Sequence, residues 1–186
     1  EIVVSLKNFS RLDHAAVANI DINRCLESSL IIAKNILKHK CEVIKELGDL
    51  PNIVCSPSQI NQVFLNLLTN AAYAIENRGI IKLTTWSDET WVYARIADTG
   101  SGIPEEITAK IFDPFFTTKP IGQGTGLGLS IVYNIIEQHH GHIKLESTIG
   151  KGTQFTVSLP INHKENTIAI KQVEHRERES HDTLCR

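Results

Sequence analysis

Apolar residues recur every three or four positions in three stretches of the chain, which predicts three amphipathic helices. The first helix is predicted over 24–40. The second is predicted to begin at Ser58, whose side-chain oxygen can cap the free amides of the first turn, and to end near residue 77 before Gly79. The third is predicted over 130–139, and a short helical segment is expected near 105–111.

Alternation of apolar and polar residues predicts strands between these helices. Residues 80–86 and 91–98 alternate on either side of a four-residue turn, which indicates a hairpin. A second hairpin is predicted from 142–147 and 153–159. Shorter strands are predicted at 21–23, 42–47 and 53–55.

The mixture of hairpins and helices indicates an α+β fold, because there are too few β-α-β repeats for a doubly wound parallel sheet. We predict a two-layer α/β sandwich with a mixed, mostly antiparallel sheet covered by helices on one face. One domain is expected over 19–161. Residues 1–18 suggest the end of an amphipathic helix and a linker, and residues 162–186 a polar tail.

Composition limits the classes of function. A net charge of -2 gives no electrostatic reason to expect nucleic acid as a partner, and no apolar run approaches the roughly 20 residues of a membrane span, so no membrane contact is expected. The four cysteines form no CxxC pair, which favours reduced thiols in the cytoplasm. Methionine is absent even at position 1, so we expect a piece of a longer protein.

Asn66 and Asn70 lie four residues apart on the second predicted helix and therefore share one face. Paired carboxamides can coordinate a hard cation through their oxygens and donate to phosphate through their amines, as a magnesium nucleotide requires. A solvated polar face is the alternative interpretation of this pair taken alone.

The segment DTGSG directly follows a predicted strand. Asp98 offers an acceptor for an exocyclic amine such as that of adenine, and Gly100 and Gly102 allow the backbone to approach a flat ligand closely. A tight turn explains the same residues if the segment stands alone.

Glycines alternate with other residues in GQGTGLGLS, immediately before the third predicted helix. Free amides at a helix N-terminus bind anions, so this segment is a candidate phosphate site, with a flexible hinge as the alternative. It matches neither the Rossmann fingerprint nor a Walker loop. In the preceding IFDPFFTTKP, Thr117, Thr118 and Lys119 can reach a terminal phosphate, while the phenylalanines can fasten a loop or pack in the core.

The order and spacing of these segments resemble the catalytic domain of sensor histidine kinases. NQVFLNLLTNAA, DTGSGIP, FDPFFTTK and GTGLGLSIV resemble the N, G1, F and G2 boxes in the family's order, and GKGTQF lies in a further matching hairpin motif. The resemblance covers about residues 21–160 and implies the histidine kinase ATPase fold. SLKNFSRL at 5–12 resembles the end of the second helix of the dimerisation and phosphoacceptor hairpin.

The resemblance implies ATP and Mg²⁺ as ligands. Asn70 would bind the metal, Asn66 would help to hold metal and phosphates, and Lys119 would contact the terminal phosphate. Asp98 would bind the adenine amine with support from Thr153. The remaining residues implied to shape the pocket, the phosphate loop or a lid over 113–125 are Gly100, Gly102, Ile103, Thr117, Thr118, Gly124, Thr125, Gly126, Leu127, Gly128 and Leu129.

The resemblance also implies phosphoryl transfer to a histidine, with Asn66, Asn70 and Lys119 as the catalytic set. Related ATPases of the gyrase, mismatch-repair and heat-shock-chaperone group carry a Glu four residues before the metal-binding Asn; Asn66 stands there and cannot act as a general base. The implied partners are the phosphoacceptor hairpin, expected to lie outside this chain, and a response regulator receiver domain, in a homodimeric parent protein.

Two other functions remain open from the residues: an ATP hydrolase, and a nucleotide-binding regulatory module without transferase activity. Tyr73 departs from the family, which often has Lys or Arg three residues after the metal-binding Asn. His14 lies in the expected linker without the family's H-E or H-D context. His139, His140 and His142 are predicted to form a polar helix end and turn rather than a metal site.

Overall fold

A computed structural model describes residues 16–120 and 124–161. The predictions for residues 1–15 and 162–186 lie outside the described residues. Within the described ranges the elements, in chain order, are β1 (Ala18–Ile20), α1 (Ile22–Leu37), β2 (Cys41–Leu47), β3 (Ile53–Cys55), α2 (Pro57–Ala74), β4 (Gly79–Ser87), β5 (Trp91–Asp98), α3 (Glu105–Thr108), α4 (Gly128–Gln138), β6 (His142–Thr148) and β7 (Gly152–Pro160).

Five strands form the main sheet in the order β2-β4-β5-β7-β6. β2 and β4 run parallel, whereas the other neighbouring strands pair antiparallel. β1 and β3 form a separate antiparallel pair. The structure therefore confirms the predicted α+β class, the mixed and mostly antiparallel sheet, and both hairpins.

One hydrophobic core lies between the helices and one face of the sheet. α2 contributes Phe64 and Leu68, both with no exposed surface, to this core, and the strands contribute alternate residues such as Leu83. Each large apolar side chain removed from water in this way contributes about 1.5–3 kcal/mol. The face of α2 away from this core is thereby left for polar side chains such as Asn66 and Asn70, which are only half-buried.

The predicted strand at 21–23 is wrong, because these residues begin a helix. The side chain of Asp21 accepts a hydrogen bond from the backbone N–H of Asn23 at 2.8 Å and caps α1. The strand lies instead at Ala18–Ile20, where it pairs with β3. A capping aspartate explains the shift, since it satisfies an amide that has no partner inside the helix.

The limits predicted for α2 are also corrected. Its cap is Ser56, whose hydroxyl accepts from the N–H of Gln59 at 3.4 Å, and Pro57 takes the first turn. The helix ends at Ala74 because Ile75 turns to an extended conformation and buries its side chain. Gly79 begins β4 rather than ending the helix.

His139 ends α4, as predicted, but its side chain is buried rather than solvated. Its Nε2 accepts from the backbone N–H of Ser56 at 3.1 Å, and Nδ1 lies 2.8 Å from the carbonyl oxygen of Ile135. These contacts define a neutral ring with the proton on Nδ1. Burial lowers the pKa of His139, and the neighbouring His140 acts in the same direction, while the bond to Ile135 opposes the change.

None of the helices within the described ranges is both long enough and apolar enough to cross a membrane.

Candidate functional site

The two carboxamides on α2 share a face, as predicted, and contact two other predicted segments. The Oδ1 atom of Asn70 accepts a hydrogen bond from Nζ of Lys119 at 3.0 Å. Asn66 donates from Nδ2 to the carbonyl oxygen of Gly128 at 3.0 Å, and its Oδ1 accepts from Gln62 at 3.0 Å. α2 therefore connects the lid segment with the start of α4.

Lys119 is half-buried beside this helix. Its ammonium lies 4.4 Å from the ring centre of Tyr73, and its backbone N–H donates to the hydroxyl of Thr117 at 3.1 Å. Burial lowers the pKa of Lys119 because the charged form loses water. A partly desolvated ammonium attracts an anion more strongly than one in bulk solvent.

Asp98 lies at the end of β5. Its Oδ1 accepts from the backbone N–H groups of Gly100 at 2.8 Å and Thr153 at 3.3 Å. Among the described residues no donor is hydrogen-bonded to Oδ2, which leaves that oxygen to accept from a ligand amine. Burial raises the pKa of the carboxyl group, and the two backbone hydrogen bonds oppose the rise.

Ser147 connects the residues around Asp98, and the sequence analysis missed it. Its hydroxyl accepts from the N–H of Ile103 at 2.8 Å and donates to the carbonyl oxygen of Gly152 at 3.1 Å. It also lies 2.9 Å from the hydroxyl of Thr153. The predicted β6–β7 hairpin contained the signal, since its register places Ser147 opposite Thr153.

The glycines of the site allow close backbone approaches. Gly126 has a φ of 68° and lies against the backbone of Phe115, which itself has a φ of 67°. A side chain at Gly126 would collide with that backbone, so this position requires glycine. Gly152, which the sequence analysis did not select, has a φ of 113° and lies against the carbonyl oxygen of Asp98.

The other predicted site residues lie in the loop after β5, at the start of α4 and in the segment around Lys119. Gly100 packs on Ala74, and Gly102 packs on Thr148. Leu127 is buried, and its N–H donates to the hydroxyl of Thr125 at 3.3 Å. Ile103 and Leu129 are half-buried against the core, Thr118 is exposed, and Gly124 approaches the side chains of Thr117 and Lys119. Residues 121–123 of the predicted lid lie outside the described residues.

A magnesium nucleotide suits this set of donors. Asn70 presents a carboxamide oxygen that already faces a positive charge, the ammonium of Lys119. At Gly128 an added Cβ would find no neighbour closer than Asn66, at 4.0 Å, so the missing side chain leaves open space beside the start of α4. Free amides at such a helix start, together with an oxygen ligand and an ammonium, match the charges of phosphate and its metal.

Comparisons with known proteins agree with this arrangement. Residues 55–163 match the family described as histidine kinase-, DNA gyrase B- and HSP90-like ATPase. The chain is 37% identical to sensor histidine kinase ZraS of Escherichia coli (strain K12) over 163 residues, which are 87% of this chain and 35% of that protein. It is 37% identical to signal transduction histidine-protein kinase AtoS of the same strain over 169 residues, or 89% of this chain and 28% of that protein.

A solved catalytic domain shows the same fold. The nucleotide-free catalytic domain of histidine kinase ThkA superposes with a TM-score of 0.70 at 32% identity, covering 78% of this chain and 98% of that domain. The chain spans about a third of the length of the curated relatives that it matches. It belongs to the histidine kinase-, DNA gyrase B- and HSP90-like ATPase family and contains the ATP-binding catalytic domain of a sensor histidine kinase.

Proposed function

We propose that this chain binds ATP with magnesium and donates the terminal phosphoryl group to a histidine of the whole protein. The observation that carries the proposal is the contact between Lys119 and Asn70, because it joins a cation from the lid to an oxygen ligand on α2. A phosphoryl group beside this contact would meet the positive charge of the Lys119 ammonium and, if magnesium were bound at Asn70, that of the metal. Stabilisation of developing charge by such fixed groups is the main source of rate in phosphoryl transfer.

Each residue has a distinct task in this proposal. Asn70 holds the metal, Asn66 orients the phosphate loop through Gly128, and Lys119 contacts the terminal phosphate. Asp98 accepts from the adenine amine through Oδ2. Magnesium, when bound, neutralises charge on the phosphates. Two further groups of residues would surround the nucleotide. Those around the phosphates are Thr117, Thr118, Gly124, Thr125, Gly126, Leu127, Gly128 and Leu129. Those around the adenine base are Gly100, Gly102, Ile103 and Thr153.

Several proposals concern the whole protein. Residues 19–161 would form the catalytic domain, residues 1–18 the end of a phosphoacceptor hairpin helix with its linker, and residues 162–186 a tail. The hairpin would supply the acceptor histidine and the dimer contact, and a response regulator receiver domain would accept the phosphoryl group next. The support is the resemblance of these segments together with the names of the relatives.

Hydrolysis is the main rival function, and Asn66 argues against it. A hydrolase needs a general base for water, and a carboxamide has no basic lone pair of suitable pKa. Both ends of this carboxamide are also occupied within the protein, by Gln62 and Gly128. Transfer to a separate nucleophile therefore fits the site better.

Calorimetric titration of the Asp98→Asn variant with ADP tests the proposed adenine contact. This variant keeps an oxygen for the N–H groups of Gly100 and Thr153 but replaces one carboxylate oxygen by an amine, which repels the adenine amine. We expect ADP affinity to fall at least about 30-fold, because one hydrogen bond to a charged group is lost and an unpaired donor is created. Asp88→Asn is the matched control, since Asp88 accepts backbone N–H groups in the β4–β5 turn.

Two results would reject the proposal. The first is an unmutated chain that binds neither ADP nor an ATP analogue in the presence of magnesium. The second is equal ADP affinity in Asp98→Asn and Asp88→Asn, which would remove Asp98 from the site. Circular dichroism of both variants separates loss of binding from loss of fold.

A further inference from the structure

Tyr73 lies against the ammonium that the proposed function assigns to the terminal phosphate. It follows Asn70 by three residues on α2, so the two side chains are neighbours on one helix face. Nζ of Lys119 lies 4.4 Å from the Tyr73 ring centre and 3.0 Å from Oδ1 of Asn70. The ammonium is therefore held between an aromatic face and a carboxamide oxygen.

Both of these partners are neutral. Within the described residues no carboxylate forms an ion pair with Lys119, although its charge is partly removed from water. A carboxylate partner would repel an incoming phosphate, whereas a ring attracts the cation through its quadrupole and carries no net charge. The arrangement thus fixes a desolvated cation and leaves its charge available to an anion.

We propose that Tyr73 is a positioning residue that holds Lys119 at the terminal phosphate of ATP. The inference rests on the proposed function and adds a residue to it. If the Asn70 oxygen turned to a bound metal, Lys119 would lose that hydrogen bond but keep its contact with the Tyr73 ring. The ring contact does not involve the Asn70 oxygen, so Tyr73 would keep Lys119 in place during that exchange.

The proposal makes Tyr73 matter for ATP and not for ADP. In this proposal Tyr73 affects the nucleotide through the Lys119 ammonium, which would contact the terminal phosphate that ADP lacks. A purely structural role for Tyr73, which is 42% exposed, would instead change the affinity for both nucleotides equally. The ratio of the two affinities is therefore the informative quantity.

The test compares Tyr73→Leu and Tyr73→Phe in the 186-residue chain, titrated with Mg-ADP and with a magnesium complex of a nonhydrolysable ATP analogue. We expect Tyr73→Leu to weaken the analogue about fivefold while ADP affinity changes less than about twofold, the size of a partly desolvated cation–π contact. Tyr73→Phe should keep the unmutated ratio. Tyr93→Leu is the control, because Tyr93 stacks on Trp86, away from this site.

A double-mutant cycle with Lys119→Ala shows whether Tyr73 acts through Lys119. In the Lys119→Ala background, Tyr73→Leu should cause no further loss of analogue affinity. A full additional loss, or equal losses for ADP and the analogue in Tyr73→Leu, would overturn the inference. If the unmutated chain binds no nucleotide, the proposed function itself has failed, so the two failures are distinguishable.

Discussion

The two carboxamides of α2 differ in how firmly the protein holds them. The oxygen of Asn70 is hydrogen-bonded to the ammonium of Lys119, whose place at that oxygen another cation could take. Asn66 is bonded at both ends, to the side chain of Gln62 and to the carbonyl of Gly128. Asn70 is thus available as a ligand, whereas Asn66 first holds α2 to the start of α4.

This difference predicts separate effects of two substitutions. Asn70→Ala should remove most of the magnesium-dependent gain in nucleotide affinity. It should change the free energy of unfolding by no more than about 0.5 kcal/mol, because the half-buried Lys119 ammonium that loses this hydrogen bond keeps its contact with the Tyr73 ring. Asn66→Ala should lower the free energy of unfolding by about 1 kcal/mol through its lost hydrogen bonds. Titrations with and without magnesium, together with urea unfolding, measure both. A magnesium effect preserved in Asn70→Ala would contradict the assignment.

The sequence could predict where the candidate site residues lie on their elements better than which partners they contact. The four-residue spacing on a helix was enough to place Asn66 and Asn70 on one face. It could not predict the Lys119–Tyr73 contact, because a loop residue 46 positions away meets α2 only through tertiary folding. Gly152 was missed for the same reason, since its close approach to Asp98 depends on the pairing of β5 with β7.

Helix boundaries were the least predictable feature among the elements. Asp21 and Ser56 are ordinary polar residues in sequence, and only the completed turns show that their oxygens cap α1 and α2. At the other end of α2, burial of Ile75 ends the helix before Gly79 does. Hairpin strands were predicted well because their alternating pattern and short turn are both local.

The contact between α4 and α2 through His139 predicts a dependence of stability on pH. Folding keeps this ring neutral, so its pKa in the folded state lies below the value of about 6.5 in the unfolded state. Below about pH 6.5 the unfolded chain binds more protons, and stability therefore falls as the pH decreases, by at most about 1.4 kcal/mol per pH unit. Urea unfolding between pH 7.5 and 5 measures this slope.

Substitution of single histidines distinguishes the contribution of His139 to this pH dependence from the contributions of the seven others. His139→Gln cannot titrate in this range, so it should flatten the pH dependence of the free energy of unfolding even if it lowers stability at pH 7.5. His39→Gln, at an exposed position just after α1, should keep the unmutated slope. An unchanged slope in His139→Gln would show that other groups cause the acid loss.

For the whole molecule, the fold class followed from local pattern, but the strand order did not. The β4–β5 and β6–β7 hairpins are local, whereas β2 pairs in parallel with β4 across the whole of α2. Such pairing joins residues that are far apart in the sequence, so a local pattern does not specify it. Another long-range pairing, between β5 and β7, positions the candidate site, because it brings Thr153 beside Asp98.

The whole molecule should transfer phosphate rather than release it. The chain supplies a cation, carboxamides and loop amides around the proposed phosphates, but Asn66 offers no base for water. We expect the purified chain with Mg-ATP to release phosphate more slowly than about one turnover per minute, far below the roughly 10 s⁻¹ typical of enzymes. Adding the proposed phosphoacceptor hairpin as a second polypeptide should give acid-labile labelling of that hairpin from γ-labelled ATP. Asn70→Ala should abolish the labelling, and rapid phosphate release without the hairpin would favour a hydrolase instead.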